Sequence, residues 1–385
     1  MKKGRTVPGK SNSERQALER QNAAVMAVFE RAGFEQIAPD IIQPADIFLE
    51  RSGEDIRTRT FVFTDPSGAE MCLRPDLTVP ACRYHLSHAA KPEQEQRYCY
   101  LGPAFRFPDE VLSPQEFTQA GIEWFGGTNA AAAEARVLKL TIGALEAAGL
   151  TKFRVTFGDL GLFSALLADT AMPERWRQRL QHHFWRPPAF RELLESFCAE
   201  RAARRTSISQ LVDRVSDGNA VALVENELET RKLPFVGGRD VTEIALRLAG
   251  KAADRRETPL DRAKADRLNA YLAIDGDASA IGTSLEKIRG GVRYAEARDT
   301  FARRLFEMEE LGLNPRRFHF AAGFGRGLEY YTGFTFQIEA DTAHGPVAVA
   351  GGGRYDNLLA DMGAAVAVPA VGCAIHTDRL KAVLA

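Results

Sequence analysis

The sequence has few cysteines, and they form no pattern. There are five, odd in number and without a CxxC pair, namely Cys72, Cys82, Cys99, Cys198 and Cys373. A disulfide framework or a structural zinc site needs cysteines at regular, close spacings, so this distribution argues against both. His182 and His183 adjoin, but neighbouring side chains diverge on a helix and do not make a shared metal site. We therefore expect no metal and a reducing compartment, the cytoplasm.

The sequence also lacks an excess of charge of either sign and any long apolar run. Its 50 basic and 51 acidic residues leave a net charge of −1, which gives no overall attraction to nucleic acid or to an anionic membrane. The basic start, MKKGRTVPGKSNSE, is not followed by the apolar segment of a secretory signal. No apolar run elsewhere is long enough to cross a bilayer, so we predict a soluble protein.

Two aromatic-rich segments, residues 98–107 and 116–125, predict a β-hairpin with a proline-bounded loop. Because strand side chains alternate between faces, Gln119 and Glu123 share a face with Gly121. By the same alternation, one face of the partner strand carries Tyr98, Tyr100, Gly102, Ala104 and Arg106. Polar side chains beside a glycine indicate a binding surface, and an ion pair between Arg106 and Glu123 across the hairpin explains the same pattern equally well.

The remaining pattern predicts an α+β fold. Ser11 or Ser13 can begin a helix that runs to about residue 32, a hairpin follows near residues 61–73, and helices are predicted from Thr78 and over residues 129–149. Residues 162–310 read as a mostly helical insertion. The aromatic and basic cluster at 176–186 either packs internally or grips nucleic acid, and packing is the commoner use of such helices. The C-terminal part predicts strands, with a triple-glycine turn at 351–353.

Five short segments, taken in order, resemble a known family. They are RPDLT at 74–78, the hairpin with FTQAGIEWFG, RGLEYYTG at 326–333, GGGRYDNL at 351–358 and AVGCAIHTDRL at 370–380. Each is a weak signal alone, but together they resemble the catalytic core of histidyl-tRNA synthetase, a class II aminoacyl-tRNA synthetase. The resemblance covers the chain from its first helix onward, apart from the helical middle. It implies a class II synthetase-like core, with an antiparallel sheet flanked by helices.

The resemblance also implies a histidine-binding pocket. Nine positions match it: Asp76, Thr78, Arg106, Gln119, Glu123, Arg326, Tyr330, Tyr331 and Tyr355. In the family the acid and hydroxyl of RPDLT hold the α-amino group, the hairpin arginine meets the carboxylate and the α-phosphate of an adenylate, and the tyrosines line the imidazole pocket. This chemistry suits a zwitterion, which needs an anion near its ammonium and a guanidinium near its carboxylate.

Four departures from the family predict that nucleotide and tRNA contacts are lost. Pro108 replaces a glutamate that contacts adenine, and proline has no side-chain acceptor for the adenine amino group. The loop at 108–114 is acidic where the family is basic, and an anionic loop repels phosphate. His376 replaces a glycine that lets the backbone approach ATP. The chain also ends soon after Arg379, so we expect no C-terminal anticodon-binding domain.

A histidine pocket without these contacts resembles the regulatory subunits of ATP phosphoribosyltransferase. That resemblance implies a non-catalytic subunit, required by a short catalytic subunit and for feedback inhibition by histidine in the first step of L-histidine biosynthesis. It implies a hetero-octamer of four plus four chains and a self-dimer formed around residues 33–39. Histidine is the expected allosteric ligand. No cofactor, tRNA or membrane partner is expected.

Two alternatives remain open at this stage. Arg106 and Arg379 are retained, so a minimal ligase that still adenylates histidine fits the same residues. A free-standing histidine-binding module that acts on another target also fits them, although nothing in the sequence indicates such a target.

Overall fold

The computed structural model describes residues 9–50, 54–108, 115–199, 207–216, 218–231, 240–325 and 330–384. The chain divides into two compact units. One comprises Met1–Thr170 and Asn269–Ala385, and the other is Ala171–Leu268. In the described part of the chain, no helix is long and apolar enough to cross a membrane.

Helices make up about half of the described chain. They are α1 Asn12–Arg31, α2 Asp46–Glu50, α3 Glu54–Arg59, α4 Thr78–His88, α5 Ala130–Ala147, α6 Leu160–Ala168, α7 Glu174–His183, α8 Pro187–Cys198, α9 Ser207–Asp213, α10 Ala220–Arg231, α11 Val241–Arg256, α12 Arg262–Leu272, α13 Ile281–Lys287, α14 Val292–Glu310, α15 Leu358–Asp361 and α16 Thr377–Leu384.

The strands form two sheets. They are β1 Glu35–Gln36, β2 Ile42–Pro44, β3 Phe61–Thr64, β4 Glu70–Leu73, β5 Gln96–Phe105, β6 Glu116–Phe125, β7 Arg154–Asp159, β8 Asp275–Asp277, β9 Phe318–Ala321, β10 Phe334–Thr342, β11 Gly345–Arg354 and β12 Ala370–His376.

The first unit is built around a nine-stranded sheet with the order β1-β5-β6-β12-β11-β10-β7-β9-β8. The predicted antiparallel sheet is confirmed for its centre, where β5, β6, β12, β11, β10 and β7 pair antiparallel in succession. The pairs β1–β5 and β7–β9 are parallel, so the sheet as a whole is mixed. A small second sheet has the order β2-β4-β3.

Helix α1 begins where the sequence predicts, and Ser11 is its cap. The Ser11 hydroxyl accepts a hydrogen bond from Glu14 N at 3.3 Å, and the Glu14 carboxylate accepts one from Ser11 N at 2.7 Å. This reciprocal capping box satisfies two backbone donors that the helix itself leaves unpaired. The apolar stripe of α1 is buried as predicted, at Leu18, Val25, Met26 and Phe29.

The β5–β6 register decides between the two interpretations of the hairpin. Tyr98 lies opposite Glu123, whereas Arg106 N donates to Gln115 O at 2.9 Å, beyond the last strand pair. Eight residues of strand therefore separate the two positions, roughly 26 Å at 3.3 Å per residue. An ion pair between Arg106 and Glu123 is excluded, so the alternative that explained both residues by that pair is wrong.

The predicted triple-glycine turn at 351–353 is also wrong, because these glycines lie inside strand β11. Runs of glycine usually mark turns, but glycine also occurs in strands where neighbouring backbone comes very close. A Cβ on Gly352 would lie 2.1 Å from the carbonyl oxygen of Gly372, and one on Gly353 would lie 2.4 Å from that of Phe334. Only glycine fits at these two positions.

Ala171–Leu268 is a separate compact unit inside the predicted helical region, and α14 belongs to the first unit. Trp176 stacks on Phe197 with 4.4 Å between ring centroids, and its Nε1 donates to Asp254 at 2.6 Å. Arg175 and Arg179 bind the same carboxylate. The aromatic and basic cluster is therefore packed within this unit, as its commoner use predicts. Strand β8, in the region predicted to be helical, was not predicted.

A buried cluster of charges connects four elements of the first unit. Glu134 on α5 accepts hydrogen bonds from Arg304 on α14 and from Arg354 at the end of β11. Arg304 also donates to Asp159 at 2.7 Å, and Arg354 donates to Asp356 at 2.8 Å. Burial alone would raise the pKa of Glu134, but the two guanidiniums hold it below its usual value. Each buried charge in the cluster is thus compensated.

Candidate functional site

A cavity of about 250 Å³ opens on one face of the large sheet. Seven of the nine predicted pocket residues line it, namely Asp76, Thr78, Arg106, Gln119, Tyr330, Tyr331 and Tyr355. The eighth, Glu123, is fully buried and does not line the cavity. The ninth, Arg326, lies outside the residues that the structure describes. Segments far apart in sequence therefore meet at one site.

The cavity floor is made of very small residues. In the strand register, Gln337, Gly351, Ala374 and Gly121 lie side by side on four neighbouring strands. The next row holds Thr335, Gly353, Gly372 and Glu123. Directly opposed residues share a face of a sheet, so both rows face the cavity side. Gly351, Gly372 and Ala374 line the cavity as its floor, and the Tyr100 side chain covers Gly121.

Glu123 is fully buried on the cavity face of the sheet, against Gly372. A Cβ on Gly372 would lie only 1.6 Å from Glu123 Oε2, so the carboxyl group occupies the space that the glycine leaves. Tyr100 donates a hydrogen bond to Oε1 at 2.9 Å, and Tyr355 donates one to Oε2. Burial raises the pKa of Glu123 to about 8, against the lowering effect of these tyrosine hydrogen bonds. Glu123 therefore holds Tyr100 and Tyr355 in place on the cavity face of the sheet.

The turn before α4 supplies the acidic side of the cavity. Pro75 disfavours helix at the preceding residue, and α4 begins at Thr78, as predicted. Asp76 is buried, and its Oδ1 accepts a hydrogen bond from Val79 N at 3.2 Å, which fixes the carboxylate at the helix start. Arg106 Nε donates to Pro75 O at 2.7 Å, so the hairpin arginine is attached to this turn.

An aromatic pair stands near the Arg106 guanidinium. The imidazole of His376 stacks on Phe117 with 5.0 Å between ring centroids, and Arg106 lies 5.3 Å from the centre of the same Phe117 ring. His376 lies opposite Gln119 in the register and lines the cavity, as expected for a side chain in place of a glycine. Residues 109–114 of the acidic loop lie outside the described part of the chain.

Sequence reasoning missed Gln337 and Cys373, which also line the cavity. Gln337 Nε2 donates to Glu339 Oε1 at 2.8 Å. Polar residues at alternate positions of an otherwise apolar strand, 335, 337 and 339, are a signal that could have identified this wall. Among the described residues, no group of three His, Cys, Asp or Glu side chains is placed to hold a metal ion.

Comparison with known proteins agrees with the geometry. The family model described as Histidyl-tRNA synthetase matches residues 11–234 and 225–380. The ATP phosphoribosyltransferase regulatory subunit of Mesorhizobium japonicum is 37% identical over 359 residues, covering 89% of this chain and 91% of that protein. The subunit of the same name from Sinorhizobium fredii is 33% identical, covering 94% of this chain and 96% of its own length.

The chain belongs to the ATP phosphoribosyltransferase regulatory subunit family. Solved structures similar to this family member confirm the predicted class II aminoacyl-tRNA synthetase-like fold. An ATP phosphoribosyltransferase regulatory subunit/histidyl-tRNA synthetase from Bacillus halodurans has a TM-score of 0.71 at 20% identity, covering 100% of this chain and 83% of its own. A histidine–tRNA ligase subunit from Alicyclobacillus acidocaldarius has a TM-score of 0.60 at 24% identity, covering 99% and 96%.

Proposed function

We propose that this chain is the non-catalytic regulatory subunit of an ATP phosphoribosyltransferase. It activates a short catalytic subunit and makes that subunit sensitive to feedback inhibition by histidine. The observation that carries the proposal is the cavity itself, in which Asp76, Arg106 and three tyrosines surround a glycine floor. A carboxylate, a guanidinium and aromatic walls are the groups that an amino-acid zwitterion with a ring side chain needs.

The size of the cavity supports a single amino acid as the ligand. Pockets for drug-sized ligands measure about 300–1,000 Å³, whereas this cavity measures about 250 Å³. An adenylate, which joins an amino acid to a nucleotide, needs more room. The His376–Phe117 stack fills space near Arg106, and Pro108 has no side-chain acceptor for adenine. These features support binding without adenylation, so no residue is assigned a catalytic role.

The assembly follows from the same proposal. The chain pairs with itself through the region of residues 33–39 and joins the catalytic subunit in a hetero-octamer of four plus four, in the cytoplasm. Neither tRNA nor a membrane is a partner, and no cofactor is required beyond histidine as the allosteric ligand. Histidine that binds two states of the assembly unequally shifts the equilibrium between them, and thereby the activity of the assembly. The coupling free energy for such a shift is typically about 1–3 kcal/mol.

Reconstitution tests the proposal. The short catalytic subunit is assayed for phosphoribosyl transfer alone, with this chain, and with this chain plus L-histidine. We expect little activity alone, strong activation by the chain, and inhibition by histidine. Asp76→Asn keeps the hydrogen-bond acceptor for Val79 N but removes the negative charge, so it should retain activation and lose inhibition. Asp299→Asn, at an exposed position of α14, is the matched control.

Two results would overturn the proposal. If the catalytic subunit alone is fully active, and L-histidine fully inhibits it without this chain, then the chain has no regulatory role. Histidine-dependent exchange of pyrophosphate into ATP by the purified chain would favour the ligase alternative, for which the retained Arg106 is the supporting feature.

A further inference from the structure

One face of the small sheet β2-β4-β3 is entirely apolar. Directly opposed residues share a face of a sheet, and side chains alternate along each strand, so the register assigns six residues to this outer face. They are Ile42, Pro44, Phe61, Phe63, Met71 and Leu73. None of the six is buried in the described part of the chain, and Ile42 is 52% and Phe63 39% exposed. The outer face therefore presents only apolar side chains to solvent.

The small sheet reverses the usual order of polar and apolar faces. An antiparallel sheet with one solvated face normally turns its polar side chains outward and its apolar ones inward. Here Gln43, Thr64 and Glu70 all lie on the opposite face, where Gln43 and Cys72 are buried. An exposed apolar face without a polar side chain is typical of a surface that another chain covers.

Phe107 extends the outer face toward the cavity. Its ring lies against that of Phe61 with 3.8 Å between centroids, and Phe107 is 43% exposed. Phe107 N donates to Arg59 O, and Arg59 Nε donates to Phe107 O, both at 2.8 Å, so this residue is held in place. Because Phe107 directly follows the cavity residue Arg106, a chain bound to the outer face lies next to the cavity.

The outer face is continuous with the region through which the chain is proposed to pair with itself, residues 33–39. Strand β1, within that region, is the last strand at its end of the nine-stranded sheet, so its outer edge has no strand partner in the described chain. Arg74, just after β4, donates to the carbonyls of Pro39 and Ile41 and so attaches the small sheet to the segment that follows β1. One partner surface can therefore cover both the edge and the face.

We propose that a second copy of this chain packs on the outer face. The inference rests on the proposed self-pairing and extends it from residues 33–39 to the three-stranded sheet. Interfaces between identical chains that stay together are more apolar than those of chains that associate and separate, and the six residues of the outer face carry no charge. A two-fold contact uses the same patch on both chains, so each copy buries its own outer face in one interface.

Sedimentation velocity of the purified full chain, at a series of concentrations, tests this inference. Wild-type protein should be a dimer. Phe63→Lys buries an unpaired charge in the contact and should weaken dimerisation by about a hundredfold or more. Val62→Lys is the matched control, because Val62 is the neighbouring residue, is similarly exposed at 42%, and lies on the opposite face of the sheet. It should dimerise like wild type.

Hydroxyl-radical labelling of wild-type protein gives a second measurement that needs no variant. Phe306, on α14, is 58% exposed and Phe63 is 39% exposed, so an isolated chain should label both to a similar extent. In the proposed dimer Phe63 should be labelled severalfold less than Phe306, because the second copy covers it. Similar labelling of the two phenylalanines contradicts the inference even if Phe63→Lys fails to fold.

The outcomes separate this inference from the proposed function. If Phe63→Lys remains a dimer and still activates the catalytic subunit, the inference is overturned and the pairing around residues 33–39 stands. If it remains a dimer but no longer activates the catalytic subunit, the outer face binds that subunit, and the inference is overturned as well. A wild-type chain that is monomeric at every concentration overturns both the inference and the self-pairing, whereas the regulatory role is decided separately by the reconstitution assay.

Discussion

A single buried carboxyl group, Glu123, joins the sheet to the cavity wall. Sequence alternation correctly places it on the same face as Gln119, but alternation carries no information on depth. The structure buries it against Gly372 on the cavity face of the sheet, where Tyr100 and Tyr355 donate to its two oxygens. Its role as a direct ligand contact, implied by family resemblance, stays a prediction.

Glu123 should make the stability of the protein fall with rising pH. Its folded-state pKa is raised from 4.5 to about 8, so between these values the folded protein keeps a proton that the unfolded chain releases. The stabilisation is complete below about pH 4.5 and is lost as the pH rises through about 8. Glu123→Gln cannot titrate and should lack this loss, ending a few kcal/mol more stable than wild type at pH 9.

Urea unfolding between pH 5 and 9 measures this effect. The control is Glu116→Gln, which changes an exposed acid on the same strand. Its free energy of unfolding should fall with pH as steeply as that of wild type. If the free energy of unfolding of Glu123→Gln falls equally steeply with pH, the proton is not held at Glu123.

At the scale of elements, the sequence predicts most strands and helices because the physical signals are local. A serine cap, a stripe of apolar residues and alternating aromatics each specify an element from its own residues. The run at 351–353 predicts a turn but lies in a strand, because the requirement for glycine there is not local. It comes from the backbones of β10 and β12, where Phe334 lies 19 residues before Gly353 and Gly372 lies 20 residues after Gly352.

Substitution in this floor should therefore be costly. The added methyl group of Gly372→Ala would lie against Glu123 Oε2 and within 2.6 Å of the Ile122 carbonyl oxygen. Overpacking of this kind costs roughly 1–3 kcal/mol or more, and we expect histidine binding to be lost as well. Thermal unfolding and calorimetric titration measure the two effects.

Gly143→Ala is the matched control. Gly143 lies inside α5, and the nearest heavy atom to an added Cβ is Val28 Cγ1 at 3.9 Å, an ordinary contact. The same chemical change should here raise stability by roughly 0.5–1 kcal/mol, because alanine favours helix. A stable, histidine-binding Gly372→Ala protein would contradict the account of the floor.

At the scale of the whole first unit, the buried charges around Glu134 connect α5, α14 and the ends of β7 and β11. Arg354 belongs to the GGGRYD motif, so one motif supplies the glycine floor, this anchor and the pocket tyrosine Tyr355. Resemblance identified Tyr355 as a pocket residue. The pairing of Arg354 with Glu134, whose carboxylate also binds Arg304, could not be predicted. No local sequence pattern identifies these residues, and they come together only through tertiary packing.

Loss of Glu134 should destabilise the entire first unit. Glu134→Gln leaves Arg304 and Arg354 buried beside a neutral amide, although each keeps one other carboxylate, so we expect a loss of about 3 kcal/mol, at the low end for broken buried pairs. Glu19→Gln removes an exposed partner of Arg15 in α1 and should cost no more than about 0.5 kcal/mol. Denaturant unfolding compares the two, and equal losses would show that the buried cluster contributes no more than a surface pair.

The glycine floor also determines how this molecule can respond to a ligand. A trough formed by main chain has no rotamers to rearrange, so its shape is present before the ligand arrives and little conformational entropy is lost at the floor on binding. The floor consequently has no second conformation that could distinguish the ligand-bound protein from the free protein. Communication with the rest of an assembly has to begin at the walls, where the side chains of Tyr330, Tyr331 and Asp76 have rotamers that a ligand can select.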